Sequence, residues 1–396
     1  MSQPLPVGEA LELVLARVSA LAAEDVAVVS AAGRVTGEAV CSLVDLPPFP
    51  ASAMDGFAVR SADTPARLPV VARIAAGRPA PRPLAPGEAM AITTGGVVPE
   101  GADAVVAVEE VEDDGESVTV PAVAEEDNVR PRGSDLLRGA VVAPAGARLA
   151  AAQLGALAAA GVTEVRCVRR PQVAVLLTGS ELRRPGETLG PGEIYDANGL
   201  ILATQLASAG AEVARLSPVP DDRAALRRAL EEGLDADVLV TTGGVSVGEH
   251  DLVRELEREL GVEEVFWRVS VRPGKPLAFG VRGRTLVFGL PGNPVSTLVS
   301  FELFVRPALL ALQGFAAPRP PFRPGRLGRP ARPSALRDSL LRARSRVEDG
   351  AVMLDPLDGQ ESHMIAQTAT ADALVFVPQG PVELPAGSPV RYLELS

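Results

Sequence analysis

One lysine marks the segment whose residue types are most suited to chemistry. Lys275 is the only lysine in a chain of 396 residues, and the other Lys/Arg positions are all arginine. It lies in the loop sequence RPGKP at 272–276. A lysine ammonium is a compact point charge that binds phosphate-like oxygens, whereas a guanidinium is a planar fork. A lysine at this one position therefore predicts an anion-binding role.

Three further glycine-containing turns follow apolar runs that we predict to be strands. In an open parallel sheet, ligands lie beyond the carboxyl ends of the strands, where glycine allows close approach and exposed amides favour an anion. One such turn could be mere loop punctuation, but four predict a phosphate-rich ligand. A Walker-type lysine motif and a complete G-x-G-x-x-G are both absent, so common nucleotide sites are not predicted. The three turns are 178–181 (TGSE), 242–248 (TGGVSVG) and 290–293 (LPGN).

Two carboxylates stand close to these turns in the predicted sheet. Asp221 follows the second strand, and Asp251 begins the helix after the third. Either could merely cap a helix or place a favourable charge in its first turn, as we expect for Asp222. The cationic loop beside them favours function instead, because carboxylates next to phosphates usually hold Mg²⁺.

Composition excludes several classes of protein. A formal net charge of −12 and a pI of about 4.9 argue against non-specific nucleic-acid binding. Two cysteines and two histidines, far apart, predict neither a disulfide framework nor a zinc site, although one disulfide stays open. No secretory pattern begins the chain, and the apolar stretch 149–162 is too short to span a bilayer. We therefore expect a soluble cytoplasmic protein.

The predicted elements divide the chain into several parts. An amphipathic helix at 7–23 and an Ala/Leu helix at 148–161 flank a β-like region at 51–136. From 171 onward strands and helices alternate, which predicts a doubly wound, mostly parallel sheet. A Pro/Arg linker at 316–333 precedes short strands of a small β domain. The alternating elements are strands 172–177, 212–217, 237–242, 265–271, 277–281 and 285–289, and helices 198–208, 222–232, 251–260 and 294–312.

Together, six segments resemble the molybdopterin molybdenumtransferase family, which is MoeA-like and includes the E domain of gephyrin. The resemblance runs from about residue 5 to the C-terminus. It implies an α/β plus β, multidomain fold: a linker domain (1–41 and 137–170), an inserted β domain (42–136), a molybdopterin-binding α/β domain (171–315) and a C-terminal β-barrel-like domain (316–396). The segments are 52–57 (SAMDGF), 178–182, 194–198 (IYDAN), 242–251, 272–276 and 290–295.

The resemblance also implies an activity. Molybdate is inserted into the dithiolene of adenylylated molybdopterin, with Mg²⁺-dependent loss of AMP. The implied enzyme is a homodimer whose cleft lies between the α/β domain of one subunit and the inserted β domain of the other. The molybdopterin adenylyltransferase that makes the substrate is an implied partner.

By motif position, the resemblance assigns site residues. Asp221 and Asp251 would hold Mg²⁺, whereas Asp55, Thr94 and Glu181 would shape the molybdate end. These five form the implied catalytic set, and Asp135 matches a further acidic position. The implied substrate-binding residues are Gly243, Gly244, Ser246, Gly248, Arg268, Arg272, Lys275, Pro291 and Asn293.

The chain departs from the family pattern at several positions. Arg268 stands where lysine is common, and Ser180 where aspartate is frequent. After the matching sequence at 362–364 (SHM), Ala366 and Gln367 replace serines, so hydroxyl roles there are not expected.

Two alternatives remain at the level of sequence. A scaffold of the gephyrin E type would be expected to carry an extra N-terminal domain and a long linker, and we expect neither here. A paralogue that inserts tungstate is not separable by sequence, because the two oxyanions have nearly equal size and charge.

Overall fold

The computed structural model describes residues 3–243 and 252–395. Two compact units make up the chain: residues 25–167, and residues 1–24 together with 168–396. Both cysteines are free, Cys41 exposed and Cys167 buried.

The unit 25–167 is built on a six-stranded sheet. All neighbouring strands in it are antiparallel except Ala66–Ile74 and Ala89–Ile92, which are parallel. Successive residues of a strand point to opposite faces of the sheet. Phe57 and Val59 therefore pack in the hydrophobic core on one face, and Ala58 packs in the core on the other face. The expected β region is therefore confirmed. Its strands, in spatial order, are Ala104–Ala107, Gly56–Val59, Ala89–Ile92, Ala66–Ile74, Ser117–Val120 and Glu112–Asp113.

The rest of this unit consists of short elements. The predicted helix at 148–161 is confirmed but shorter, Ala151–Ala159. Two-stranded pairs join Val40–Cys41 to Val141–Ala143, and Ala51–Ser52 to Val129–Arg130.

The second unit contains the mixed six-stranded sheet expected from the strand–helix alternation. Its strands are β1 (Gln172–Thr178), β2 (Glu212–Val219), β3 (Val238–Thr242), β4 (Glu263–Trp267), β5 (Ala278–Arg282) and β6 (Thr285–Leu290). Four strands are parallel in the spatial order β2-β1-β3-β6, and β5 and β4 extend this row in antiparallel fashion. Because β4 is antiparallel to β5 and β5 is antiparallel to β6, β4 ends at the same edge as the parallel strands.

Helices cover both faces of this sheet, as a doubly wound fold requires. The helices are α1 (Val7–Leu15), α2 (Asn198–Ser208), α3 (Arg223–Gly233), α4 (Leu252–Glu259), α5 (Pro294–Ser300) and α6 (Arg306–Leu312). On one face of the sheet, Val173 and Val175 of β1 share a hydrophobic core with α1, α2, α5 and α6. On the other face, Ala174 and Leu176 share a second core with α3 and α4.

Two sequence predictions need correction in this unit, and a third holds with one irregularity. Helix 7–23 ends at Leu15, after which the chain turns so that the Leu21 N–H donates to the Leu312 carbonyl at 2.8 Å. Helix 294–312 is confirmed over its predicted length, although it contains a π-helical stretch at Phe301–Val305, because Pro307 has no N–H to continue the helical ladder. This stretch is long and apolar enough to cross a bilayer, yet 72% of its 18-residue apolar window is buried.

The predicted strand 265–271 is also wrong, because it divides in two. Arg268 adopts a positive φ of 80°, which turns the chain after β4. Val271–Arg272 then pairs with Asp338 and Ser339 of the C-terminal strands instead of the α/β sheet.

The C-terminal strands close a five-stranded barrel, as expected. The strands are β7 (Arg323–Leu327), β8 (Asp338–Glu348), β9 (Ala351–Pro356), β10 (Ala373–Val377) and β11 (Pro389–Glu394), with a short helix at Ile365–Thr368. They pair in the order β8-β9-β7-β11-β10, and β10 pairs with β8 to close the ring. The interior is filled by Leu327, Leu354, Val375 and Tyr392.

Candidate active site

Three of the predicted turns meet at the carboxyl edge of the parallel strands. The Thr178 hydroxyl donates to the Thr242 carbonyl at 3.2 Å, and the Thr242 hydroxyl donates to the Pro291 carbonyl at 3.2 Å. The Asn198 amide, at the start of α2, donates to the Thr242 hydroxyl at 3.1 Å and to the Gly292 carbonyl at 2.7 Å. These bonds fix the ends of β1, β3 and β6 relative to one another.

Glycine is required where these turns approach most closely. Gly243 has a φ of 85°, and a Cβ there would lie 2.3 Å from the Thr178 carbonyl oxygen. A Cβ on Gly292 would lie 3.5 Å from the Gly243 Cα, which is an ordinary contact distance, so the requirement for glycine is confined to Gly243. The backbone itself therefore forms the surface at this edge, which is the arrangement that lets amides reach an anionic ligand.

Two of the predicted carboxylates share a cleft beside this edge. Glu181 and Asp221 line a cavity of about 530 Å³ together with Thr178, Gly179 and Gly243. Both side chains are exposed.

Asp221 and Asp222 are neighbours in sequence, but their hydrogen-bond partners show that only Asp222 caps a helix. Asp221 Oδ2 accepts the Ser180 N–H at 3.1 Å. Asp222 instead caps α3, because its Oδ1 accepts the Ala225 N–H at 2.8 Å. The capping role expected for Asp222 is thus confirmed.

The cationic loop reaches the same edge, although it begins earlier than predicted because β4 ends at Trp267. It connects the end of β4 to the start of β5, and the Val269 N–H donates to the Lys275 carbonyl at 3.0 Å. Gly274 has a φ of 114°, so a side chain there would be strained. Lys275 is half-buried and pairs with no carboxylate among residues 3–243 and 252–395.

A loop of the barrel lies against this cationic segment. Arg272 pairs with Glu361 at 3.2 Å, and the Asn293 amide donates to the Ser362 hydroxyl at 2.8 Å. The Val295 N–H also donates to the Ser362 carbonyl at 3.2 Å. The barrel therefore contributes polar atoms next to Arg272 and Asn293.

Arg342 organises this barrel loop, and sequence reasoning missed it. Its guanidinium, in a residue only 1% exposed, donates to the carbonyls of Gly359, Gln360 and Glu361 at 2.8–3.2 Å. Burial lowers the pKa of the Arg342 guanidinium. The available signal was an arginine within the apolar run of a strand, SLLRA at 339–343.

Asp55 and Thr94 lie together in the unit 25–167. Asp55 Oδ1 accepts both the Thr94 N–H at 2.7 Å and the Thr94 hydroxyl at 3.1 Å. A Cβ on Gly56 would lie 1.9 Å from the Val106 carbonyl oxygen, so glycine is needed there for close strand packing. Asp135 is exposed in the same unit.

Several predicted site residues lie outside the described residues: Gly244, Ser246, Gly248 and Asp251. Within the described ranges, no group of three or more His, Cys, Asp or Glu side chains is arranged to hold a metal ion. The pairing of Asp221 with Asp251 stays a prediction.

Known proteins resemble this chain over nearly its whole length. Residues 5–161 match the MoeA N-terminal region (domain I and II), residues 174–311 a probable molybdopterin binding domain, and residues 324–395 the MoeA C-terminal region (domain IV). A molybdopterin molybdenumtransferase 2 of Mycobacterium tuberculosis is 36% identical, covering 92% of this chain and 93% of that protein. A molybdopterin molybdenumtransferase of Bacillus subtilis is 31% identical, covering 98% and 94%. The crystal structure of a molybdopterin biosynthesis MoeA protein from Pyrococcus horikoshii superposes with a TM-score of 0.81 at 31% identity, covering 99% of each chain.

Proposed function

Because the chain belongs to the MoeA family of molybdenum cofactor biosynthesis, we propose that it is a molybdopterin molybdenumtransferase. It inserts molybdate into adenylylated molybdopterin with release of AMP. One observation supports this most: three tied turns and the lysine loop converge on a single sheet edge beside a cleft with two carboxylates.

The proposed substrates match the chemistry of that edge. The adenylylated pterin carries a phosphoanhydride, and molybdate is an oxyanion, so both need cations and amides. Lys275 supplies positive charge, Arg272 adds hydrogen-bond donors although it pairs with Glu361, and Arg268 lies at the end of β4. The amides of 243–248 would bind anionic oxygens, although all but Gly243 lie outside the described residues. Pro291 and Asn293 shape the neighbouring turn.

Mg²⁺ fits the oxygen donors on the cleft wall. Only Oδ2 of Asp221 accepts a hydrogen bond from the described residues, so Oδ1 can face a cation. Carboxylate oxygens are the ligands that Mg²⁺ prefers, and we propose that Asp221 and Asp251 hold it. When bound, the ion would neutralise charge on the departing phosphate. Glu181, on the same cleft, would orient the molybdate end.

We also propose a cytoplasmic homodimer in which Asp55 and Thr94 of the partner subunit complete the cleft. Their shared hydrogen bonds hold a carboxylate and a hydroxyl at one point, which supports a joint role. The proposed domains keep the boundaries 1–41 with 137–170, 42–136, 171–315 and 316–396. The enzyme would receive its substrate from a molybdopterin adenylyltransferase.

Asp221→Asn tests the metal role. The variant keeps the shape of the side chain but removes its charge, so AMP release with molybdate and Mg²⁺ should fall at least tenfold. Asp222→Asn is the matched control, because asparagine also caps a helix and activity should stay within twofold. Wild-type AMP release by Asp221→Asn would refute the metal role. The scaffold alternative is not favoured, and parallel assays with molybdate and tungstate decide between the two oxyanions.

A further inference from the structure

The only tryptophan of the chain lies between two arginines at the end of β4. Trp267 is the last residue of β4; the Arg268 Cζ lies 3.6 Å from its ring centroid and the Arg254 Cζ, from α4, lies 4.0 Å from it. Each guanidinium is thus nearly centred over the ring at van der Waals contact. Two groups centred in this way cannot share one face, so they flank opposite faces of the indole.

The two arginines differ in their other partners. Arg254 donates through Nε and Nη2 to Glu264 Oε2 at 3.0 and 2.6 Å, so a carboxylate neutralises it. Arg268 forms no ion pair with any residue in the described ranges, and its buried Nε has no hydrogen-bond acceptor there. Among the described residues, the stack therefore contains one arginine paired with a carboxylate and one without such a partner.

The backbone of Arg268 is held in an unfavourable conformation. Its φ is 80°, a value that side-chain-bearing residues seldom adopt. The Arg268 N–H donates to the Leu277 carbonyl at 2.8 Å, and its carbonyl accepts the Leu5 N–H at 3.1 Å. Local strain of this kind persists where the surroundings fix a side chain in one place.

We propose that Trp267 and Arg254 are positioning residues that hold the Arg268 guanidinium at the anion-binding edge of the sheet. A flat guanidinium can stack on the indole in a fixed plane, whereas a lysine ammonium would be held less firmly. The link to turnover rests on the proposed function, whereas the stack itself does not.

Trp267 fluorescence tests the stack without any activity assay, because the chain has one tryptophan. Arg254→Gln and Arg268→Lys should each change the emission intensity or maximum. Arg258→Gln, on the same helix but exposed, should leave it unchanged. Inorganic pyrophosphate should alter wild-type emission saturably, and the Arg268→Lys protein should need at least fivefold more of it. Unchanged emission in both stack variants, or no response to pyrophosphate, overturns the inference.

Turnover tests the positioning role. Arg254→Gln should raise the KM for adenylylated molybdopterin about tenfold while kcat stays within twofold, because binding geometry is lost rather than chemistry. In the Arg268→Lys protein, Arg254→Gln should raise this KM by less than a further twofold, because the guanidinium that Arg254 positions is already absent. Equal effects in both backgrounds would show a merely structural role and overturn the proposal. A wild-type protein that responds to pyrophosphate but releases no AMP would contradict the proposed function, not the stack.

Discussion

Replacement of the Lys275 side chain tests the proposed anion site without removing a hydrogen bond that holds the loop. Lys275 is half-buried, and its carbonyl, not its side chain, holds the loop through the Val269 N–H. At about 4 Å from a phosphate-like oxygen, with an effective dielectric constant of about 20, its charge contributes about 4 kcal/mol. Lys275→Gln should therefore lower kcat/KM for adenylylated molybdopterin by roughly 10³-fold.

Lys275→Arg separates charge from shape. The charge is kept, but a planar fork replaces a point charge, so kcat/KM should fall by about 10–30-fold. Arg258→Lys, a charge-conserving change on exposed α4, should stay within twofold. The assay is AMP release at varied substrate concentration, with thermal unfolding to verify that each variant is folded. Normal kcat/KM for Lys275→Arg together with less than a threefold loss for Lys275→Gln would refute the reasoning.

Two further predictions concern the framework around the site. Gly243→Ala places a methyl group 2.3 Å from the Thr178 carbonyl oxygen, at a residue with a positive φ. The substitution should therefore lower the free energy of unfolding by about 1–3 kcal/mol, measured by urea titration. An unchanged free energy of unfolding would contradict the close approach of the two turns. Burial of Asp237 opposes its ionisation, but hydrogen bonds from Arg169 and the Gln172 N–H hold the pKa of its carboxyl below the ordinary value. Its stabilising effect is therefore fully present above about pH 4 and is lost as pH falls through the lowered pKa of the folded protein. Asp237→Asn should cost about 1–3 kcal/mol at pH 7 and progressively less as pH falls below about 4, and a cost that does not change with pH would contradict this.

Much of the α/β unit could be predicted because its local signals agree. Helix Asn198–Ser208 begins and ends at the predicted residues, since a strand-like run precedes it and Gly210 follows it. The turns at 178–181 and 290–293 follow buried parallel strands, so their meeting at one edge follows from topology alone.

The remaining features depend on contacts distant in sequence. The division of 265–271 arises from the turn at Arg268 and from pairing with residues 338–339, about seventy positions away. Arg342 was missed for the same reason, because its acceptors belong to a loop that only the barrel register brings near. Composition and periodicity carry no information about such pairings.

Formation of molybdenum cofactor by the purified chain tests the central claim most directly. The protein would be incubated with adenylylated molybdopterin, molybdate and Mg²⁺; AMP would be quantified, and product cofactor measured by activation of a cofactor-free molybdoenzyme. We predict equal amounts of AMP and cofactor, both dependent on molybdate. Failure of the folded protein to release AMP or form cofactor above the protein-free blank would contradict the account.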